Sequence, residues 1–592
     1  MPADCLGHAL IKSLSTKSLL LIALTAFILI TPTFFFGQIS GNDFNFHIES
    51  WIEVSHQWHQ HVAWPSWDSG GYEGFGEPRF IFYPPLTWLI GGALGIVLPW
   101  RAVPDVFLVL ILIFSGISMH RLASRWLPPD GALTAALIYI TAPYSLVDVF
   151  VRSPTAEMFA GAILPLAILY AFNCADDTAA VADRGSRYRN VALLAICYAA
   201  IWLTNAPMSV VSSYALAFLL LFLAIQRRSL WPLLAGGAAM ALGLLLACGY
   251  IVPATYEQRW VSIEQAISRG LIFADSIIFN WTAHPEHHLF NVMISLVASF
   301  EIVATFIAAR ILWRRFANAP AMRFGAVGIA VVSAAMMLPG TANVLQYLPK
   351  MRYIQFPWRW LIALGVCFAF FLGSAVASSR RRLLIGLMYG SLLAMFCMVL
   401  GTNFGWWDSE DIPETLAWVQ SGQGYSGTEE YGPRVGDPNL LPDLPVNGPR
   451  VRLFPAGTTA LTYVPDQPAI ATNPSTPPDR WLKPFAPGTA TVNLWFDQHK
   501  IFTVDSPTPV VAGLWLLNYP AWRVRVNGQP AAAETDPDTG EMLLPLGAGA
   551  NRVEIYFGWT PDRTIGCALS ALGVLILSCI AMIGWRRSPV PT

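Results

Sequence analysis

The sequence predicts a polytopic α-helical membrane protein of about twelve spans with an extracytoplasmic β-sandwich-like domain near its C-terminus. Three observations predict it. Of 592 residues, 55% are hydrophobic and only 12% charged, with a mean hydropathy of +0.49, whereas soluble domains carry about 25% charged residues. Apolar runs long enough to cross a bilayer recur through the first 400 residues and return at the end. Between them, residues 451–557 alternate apolar and polar positions in short runs punctuated by Gly, Pro and Asn, which is the pattern of antiparallel strands.

The candidate spans are 19–36, 103–119, 131–150, 155–172, 191–204, 207–225, 231–253, 289–309, 324–339, 358–377, 383–400 and 564–585. A further apolar stretch, 80–100, is interrupted by Pro84, Pro85 and Pro99. Positive charge marks cytoplasmic loops. Lys12 and Lys17, Arg121 and Arg125, Arg184 to Arg189, Arg227 and Arg228, Arg310 to Arg315, Arg380 to Arg382, and Arg586 and Arg587 all fall inside if 80–100 does not cross. That stretch is therefore expected to enter the interface without traversing it, as covered irregular backbone can. Both termini are then cytoplasmic. Because no Ala-x-Ala-like site follows the first apolar run, it reads as a retained helix and not a cleaved signal. The expected domains are a multi-span unit, 1–400, whose first outer loop is 37–100; an extracytoplasmic loop and β-rich domain, 401–563; and a last span with its tail, 564–592. A net charge of −1 gives no global field to recruit nucleic acid. All eight cysteines lie in expected spans or cytoplasmic ends, which argues against structural disulfides and a cysteine zinc site.

Strands are expected at 451–454, 490–496, 510–518, 522–526, 542–546 and 552–557, with a turn at Asn527-Gly528. In the first outer loop Phe44, Ile48, Trp51, Ser55, Trp58 and Val62 recur at helical spacing. This predicts a helix lying on the membrane with one face in lipid and with Glu49 and Glu53 on the watery face. Asp43 and His47 sit one turn apart on its flank, and Asn42 or Asp43 is placed to cap it. Gly70, Gly71, Gly74 and Gly76 then let the backbone approach another group closely, while Tyr72, Phe75 and Tyr83 are of the type that stacks on sugars.

Three more clusters carry chemistry. Arg152 and Glu157, with Asp148 a turn earlier, flank the outer ends of two spans, where they form either a structural ion pair or part of a substrate site. Lys350, Arg352 and Arg359 surround Gln355-Phe356-Pro357-Trp358 in an outer loop. Guanidinium forks bind phosphate in two-pronged fashion, and cations with tryptophans also anchor lipid headgroups. His56, His59 and His61, and a second group of His284, Glu286, His287 and His288, have spacings compatible with metal, although His61 points away from the other two on a helix.

Four stretches carry a resemblance: Asn42-Asp43 with His47; Arg152-Ser153-Pro154 with Glu157; Ile354-Gln355-Phe356-Pro357-Trp358-Arg359; and Tyr519-Pro520 with Trp522 to Gly528. Through them the chain resembles bacterial integral membrane proteins labelled 6-pyruvoyl-tetrahydropterin synthase-related, akin to YfhO-like proteins. That label gives no warrant for pterin chemistry in a fold with so many spans. More broadly, the order of a first helix, Asp43 in a surface helix, a Trp/Gly-rich loop and Tyr83-Pro84-Pro85-Leu86 resembles the GT-C superfamily of membrane glycosyltransferases, which use polyprenyl-phosphate-linked donors. The resemblance implies a bacterial inner-membrane enzyme of the cell envelope that moves a sugar from a polyprenyl-phosphate lipid to an extracytoplasmic glycan or protein acceptor. It implies that Asp43 acts at the reaction centre, as a base for an acceptor hydroxyl or as ligand to a divalent metal beside the donor phosphate, with Glu157 as a second acidic group. His47, Arg79, Tyr83, Arg152, Arg352, Gln355 and Arg359 are the expected substrate-binding residues. The first loop holds no Asp-x-Asp or Glu-x-Asp pair, which leaves metal dependence open. Two other classes fit the spans: a transporter or flippase for lipid-linked glycans, and a non-catalytic envelope-assembly protein.

Overall fold

A computed structural model of the chain describes residues 14–176, 184–268, 270–280, 288–375, 407–441, 448–459 and 486–586. It is a polytopic helical protein with a C-terminal β-rich domain. Among the described residues nine helices are long and apolar enough to cross a membrane. They match nine expected spans: Thr16–Phe36, Trp100–Ala123, Pro129–Arg152, Thr155–Ala175, Ala206–Arg227, His288–Phe316, Pro320–Met337, Pro357–Ala375 and Pro561–Ile583. The expected span 231–253 is a bent pair, α9 (Trp231–Leu246) and α10 (Cys248–Glu257), turning by 69°. The expected span 191–204 is part of α7 (Arg184–Trp202). The expected span 383–400 and the histidines His284 and His287 lie outside the described residues. Stretch 80–100 contains α3 (Pro85–Val97). Its 13 residues reach about 20 Å, short of the ~30 Å hydrocarbon core.

The remaining helices used below are α1 (Thr16–Ile30), α2 (Phe44–His59), α4 (Val103–Ala123), α5 (Pro129–Ile140), α6 (Thr155–Ala175), α8 (Ala206–Arg227), α11 (His288–Leu312), α12 (Pro320–Met337), α13 (Leu361–Ala375), α14 (Asp411–Ser421) and α15 (Pro561–Arg586). Helix α2 forms where its periodicity places it, but its surroundings differ from the sequence expectation. Phe44, Ile48 and Trp51 are buried in the helical core against α3 and α14, not in lipid. The opposite face is not in water either. Glu53 is buried, accepting hydrogen bonds from Gln57 and from the amide of Ser69, and Glu49 pairs with Arg79. The reason is long-range: loop 64–79 and the β-domain cover that face.

The β-domain is a two-sheet sandwich. Strands β1 (Val451–Pro455), β4 (Val510–Leu517), β8 (Glu541–Leu546) and β7 (Glu534–Thr535) form one sheet in the order β1-β4-β8-β7. Strands β2 (Thr489–Phe496), β3 (His499–Ser506), β9 (Gly549–Phe557), β5 (Trp522–Val526) and β6 (Gln529–Ala531) form the other, in the order β2-β3-β9-β5-β6. The expected turn closes β5 on β6, with Val526 opposite Gln529. Asn527 and Gly528 both have positive φ, 53° and 81°, as a two-residue hairpin turn requires.

The sandwich core extends into the membrane unit. Trp67, Tyr72, Phe75 and Phe82 share one cluster with Leu514, Trp515 and Tyr519. The Leu517 amide donates to the carbonyl of Phe75 at 2.9 Å, and Trp515 Nε1 to that of Glu73 at 2.9 Å. The glycines of this loop therefore serve chain-to-chain packing: a Cβ on Gly76 would meet Trp67 Nε1 at 2.1 Å. Tyr72 and Phe75 are part of this core and unavailable for sugar stacking.

Candidate active site

Asp43 is fixed where the first outer loop crosses the end of a span. Beyond α5 the chain continues through Pro143–Val147 into a wider π-helical turn, Asp148–Arg152, and ends at Ser153 in the left-handed region, φ 53°. Such turns break the regular ladder and free backbone groups for other partners. The Asp43 amide donates to the Arg152 carbonyl at 3.0 Å, and the Gly41 amide to Ser153 Oγ at 3.2 Å. The close approach needs Gly41, because a Cβ there would lie 2.6 Å from the Val151 oxygen. Asp43 occupies the N-cap position of α2 but makes no capping hydrogen bond with its side chain. Its carboxylate is left for other use.

Behind it lies a buried ion network. Glu157, at the start of α6, accepts at Oε2 from Arg152 Nη2 (3.0 Å) and Arg359 Nε (2.8 Å), and at Oε1 from Arg152 Nη1 (3.1 Å) and the Tyr144 hydroxyl (2.6 Å). Arg152 also donates to Asp148 at 2.7 Å and to Tyr144 Oη at 3.0 Å. Arg359 Nη1 donates to the Ile354 carbonyl (2.6 Å) and to Gln355 Oε1 (3.3 Å). Trp358 covers the Arg152 guanidinium at 4.5 Å and Phe356 that of Arg359 at 4.9 Å, the two rings being stacked on each other. Glu157 is thus saturated by protein donors. It holds two guanidiniums in place and does not itself face a substrate.

These groups open on one cavity of about 760 Å³ at the end of the bundle that carries the sandwich. Asp43, Arg152, Arg359, Lys350, Gln355 and Tyr83 line it, as do Glu430 and Tyr431 from the segment packed on loop 64–79. Asp43 Oδ2 stands 4.0 Å from Arg152 Nη2, and 43% of the Asp43 side chain stays accessible. Being set in a concave wall raises its pKa above the ordinary carboxylate value. Arg152 and then Arg359 pull it back, and Glu157 adds slightly to the rise. Asp148 and Glu157 offset the charge of the two guanidiniums. The positive charge left over is that of Lys350 on the rim, and among the described residues Arg359 Nη2 makes no hydrogen bond to a protein acceptor.

A divalent cation would need several oxygen ligands. Among the described residues no three His, Cys, Asp or Glu side chains come together to hold one, and the groups beside Asp43 are guanidiniums. The residues present do not fit a resident metal at this point. His56, His59 and His61 do not converge either. His59 Nδ1 meets the Ser55 carbonyl, His56 meets Gln60 and lies 3.9 Å from Asp497, and His61 has left the helix at φ 64°.

The remaining expected residues are placed as follows. His47 is buried behind Tyr83, stacked on Trp51; burial and then Arg79 lower its pKa to about 3, so it is neutral. Arg79 is sealed among Asp68, Glu77 and Glu49, away from the cavity. Arg352 is exposed and does not line the cavity; Lys350 does. Sequence reasoning missed Tyr144, which bridges Arg152 and Glu157. The signal was its spacing, eight residues before Arg152, which is two helical turns.

No protein-family model and no curated protein matches the chain. Among solved structures, ArnT from Cupriavidus metallidurans in the apo state is 15% identical, with a TM-score of 0.38 over 69% of this chain and 75% of that one. The arabinofuranosyltransferase AftD from Mycobacteria is 15% identical, with a TM-score of 0.41 over 66% of this chain and 27% of that one. The Archaeoglobus fulgidus oligosaccharyltransferase in the apo form is 13% identical, with a TM-score of 0.40 over 70% of this chain and 56% of that one. At this level of likeness the site's own residues decide its chemistry.

Proposed function

We propose that the chain is a membrane glycosyltransferase of the GT-C type. It takes a sugar from a polyprenyl-phosphate carrier and places it on a hydroxyl-bearing extracytoplasmic acceptor. One observation carries this reading: an accessible carboxylate, Asp43, opens on the same cavity as two braced guanidiniums, Arg152 and Arg359. In the transfer the acceptor oxygen forms a bond to the anomeric carbon as the carbon–oxygen bond to phosphate breaks. The acceptor proton goes to Asp43, and the bonding electron pair leaves with the lipid phosphate. Its added negative charge is met by the fixed donors of Arg359, with Lys350 on the rim adding positive charge. Such preorganised donors are worth most where charge develops. Arg152 keeps Asp43 oriented, and Glu157, Tyr144 and Gln355 are positioning residues. The closer kinship with the 6-pyruvoyl-tetrahydropterin synthase-related membrane proteins belongs to the same proposal, since Gln355 and Arg359 of their most specific stretch both line the cavity.

The test uses the full chain in proteoliposomes supplied with polyprenyl-phosphate sugars extracted from its source membrane, reading the release of free polyprenyl phosphate. Release by the wild type that Asp43→Asn abolishes is the expected result. Movement of intact sugar lipid between leaflets, unchanged in Asp43→Asn, would establish the transporter reading instead.

A further inference from the structure

Behind the ion network lies a second, small space of about 40 Å³, lined almost wholly by buried residues. Glu301 of α11 lines it, as do Asp148, Tyr144 and Tyr139. Glu301 is eight residues, about 12 Å along the helix, beyond Met293, which lines the main cavity. It therefore sits within an apolar span, fully buried. Its Oε1 accepts the Tyr144 amide at 2.9 Å. Its Oε2 is buried with no protein partner, and no basic group pairs with it among the described residues. Across the space, Asp148 is paired with Arg152, whose charge Glu157 already shares.

An ionised carboxylate without a counter-charge is very costly in this setting. The two nearby cations are already engaged: Arg152 serves Asp148, Glu157 and the edge of Asp43, and Arg359 serves Glu157. The other titratable groups on the walls are the phenols Tyr139 and Tyr144; the parts from α4, α6 and α13 are uncharged. A water needs about 10–15 Å³ of such space and two to four polar partners, so there is room for about three. Oε2 of Glu301 and the Asp148 carboxylate supply hydrogen-bonding ends on either side.

We propose that this space is an intramembrane binding site for water and one excess proton, carried on Glu301 and shared through water with Asp148. The Glu301 hydroxyl donates to the water, and the water donates to Asp148. The held proton keeps a further negative charge away from Asp148, Glu157 and Asp43, and so keeps Arg152 free to pair with them. The site goes beyond the transferase reading and does not rest on it.

Infrared spectroscopy of the full chain in lipid nanodiscs tests it without any assay of activity. At neutral pH the wild type should show a protonated carboxylic-acid carbonyl band that shifts slowly in D₂O and is missing from Glu301→Gln. Asp148→Asn should keep the band but move it, because the far end of the water bridge has changed. Absence of any band sensitive to Glu301→Gln would overturn the proton. A band unmoved by Asp148→Asn would overturn the water bridge, and if Glu301→Gln fails to fold, Glu301→Asp assigns the band by the shift it causes.

Discussion

Arg79 and Arg359 are both nearly fully buried, and both pair with carboxylates held by the first half of the chain, yet only Arg359 reaches the cavity. Around Arg79 every neighbour is closed off by protein. Glu77 accepts from Nε of Arg79 (2.7 Å) and from the amide and hydroxyl of Thr428 (2.7 and 2.9 Å), while Asp68 accepts from the Tyr425 hydroxyl at 2.7 Å. This cluster clips loop 64–79 to the chain that leads into the sandwich. Around Arg359 the carboxylate, Glu157, is equally enclosed, but one donor edge and the Asp43 carboxylate are left to the cavity. The same residue types build a clip in one place and a site in the other. The difference is which polar atoms the protein itself satisfies.

The largest effect that sharpens this contrast belongs to Asp43→Asn. Transfer should fall ~10²–10⁴-fold, the usual contribution of a positioned base, while the thermal midpoint stays near wild type because the side chain is 43% accessible. Arg79→Met should do the reverse. It strands three carboxylates and should lower stability by about 3–5 kcal/mol in chemical unfolding, leaving the turnover of the folded fraction unchanged. Equal loss of turnover in Arg79→Met would break the contrast.

Next in size is Arg359→Lys. A lysine cannot serve Glu157, the Ile354 carbonyl and a phosphate together, and losing one charged hydrogen bond of about 1.5–3 kcal/mol should cost roughly ten- to a hundredfold in kcat/KM. The two regions should also respond to pH with opposite sign. Burial raises Asp43, whose basic form is the reactive one, so transfer should fall with acid at a higher pH than for an ordinary carboxylate. Burial pushes Glu49 and Glu77 up from 4.5 to about 7 against the pull of Arg79. The folded state then binds more protons than the unfolded one, so stability should fall as pH rises from about 4.5 to about 7. Thermal melts across that window check it, and Glu77→Gln should flatten the slope. The smallest effect is that of Arg352→Ala, which should leave stability within about 0.5 kcal/mol and transfer near wild type, since this exposed side chain does not line the cavity.

Much of this was legible in the chain. Among the described residues, nine of the twelve expected spans are helices long and apolar enough to cross a membrane, and they followed from the length of their apolar runs. Asp43, Arg152, Tyr83, Gln355 and Arg359 were expected at the site from the resemblance and from their side-chain chemistry, and all five line the cavity. What misled was long-range covering. Nothing local distinguishes Arg79, because Thr428 and Tyr425, which close its cluster, lie some 350 residues away in sequence. Lys350 and Arg352 are two residues apart, and the 3-10 turn at Met351–Ile354 decides which one turns inward. Strand β3 escaped notice because its inward face, Lys500, Phe502, Val504 and Ser506, has polar residues at both ends. Lys500 is buried there with its ammonium donating to the carbonyls of Phe496 and Asp497.

The most direct test of the central claim is a cryo-electron-microscopy structure of the full chain with bound polyprenyl phosphate. The phosphate should lie in the cavity within hydrogen-bonding distance, ~2.7–3.2 Å, of Arg359, with Asp43 facing it across the space left for sugar and acceptor. A phosphate bound outside this cavity, with Asp43 and Arg359 touching only protein and solvent, would contradict the account.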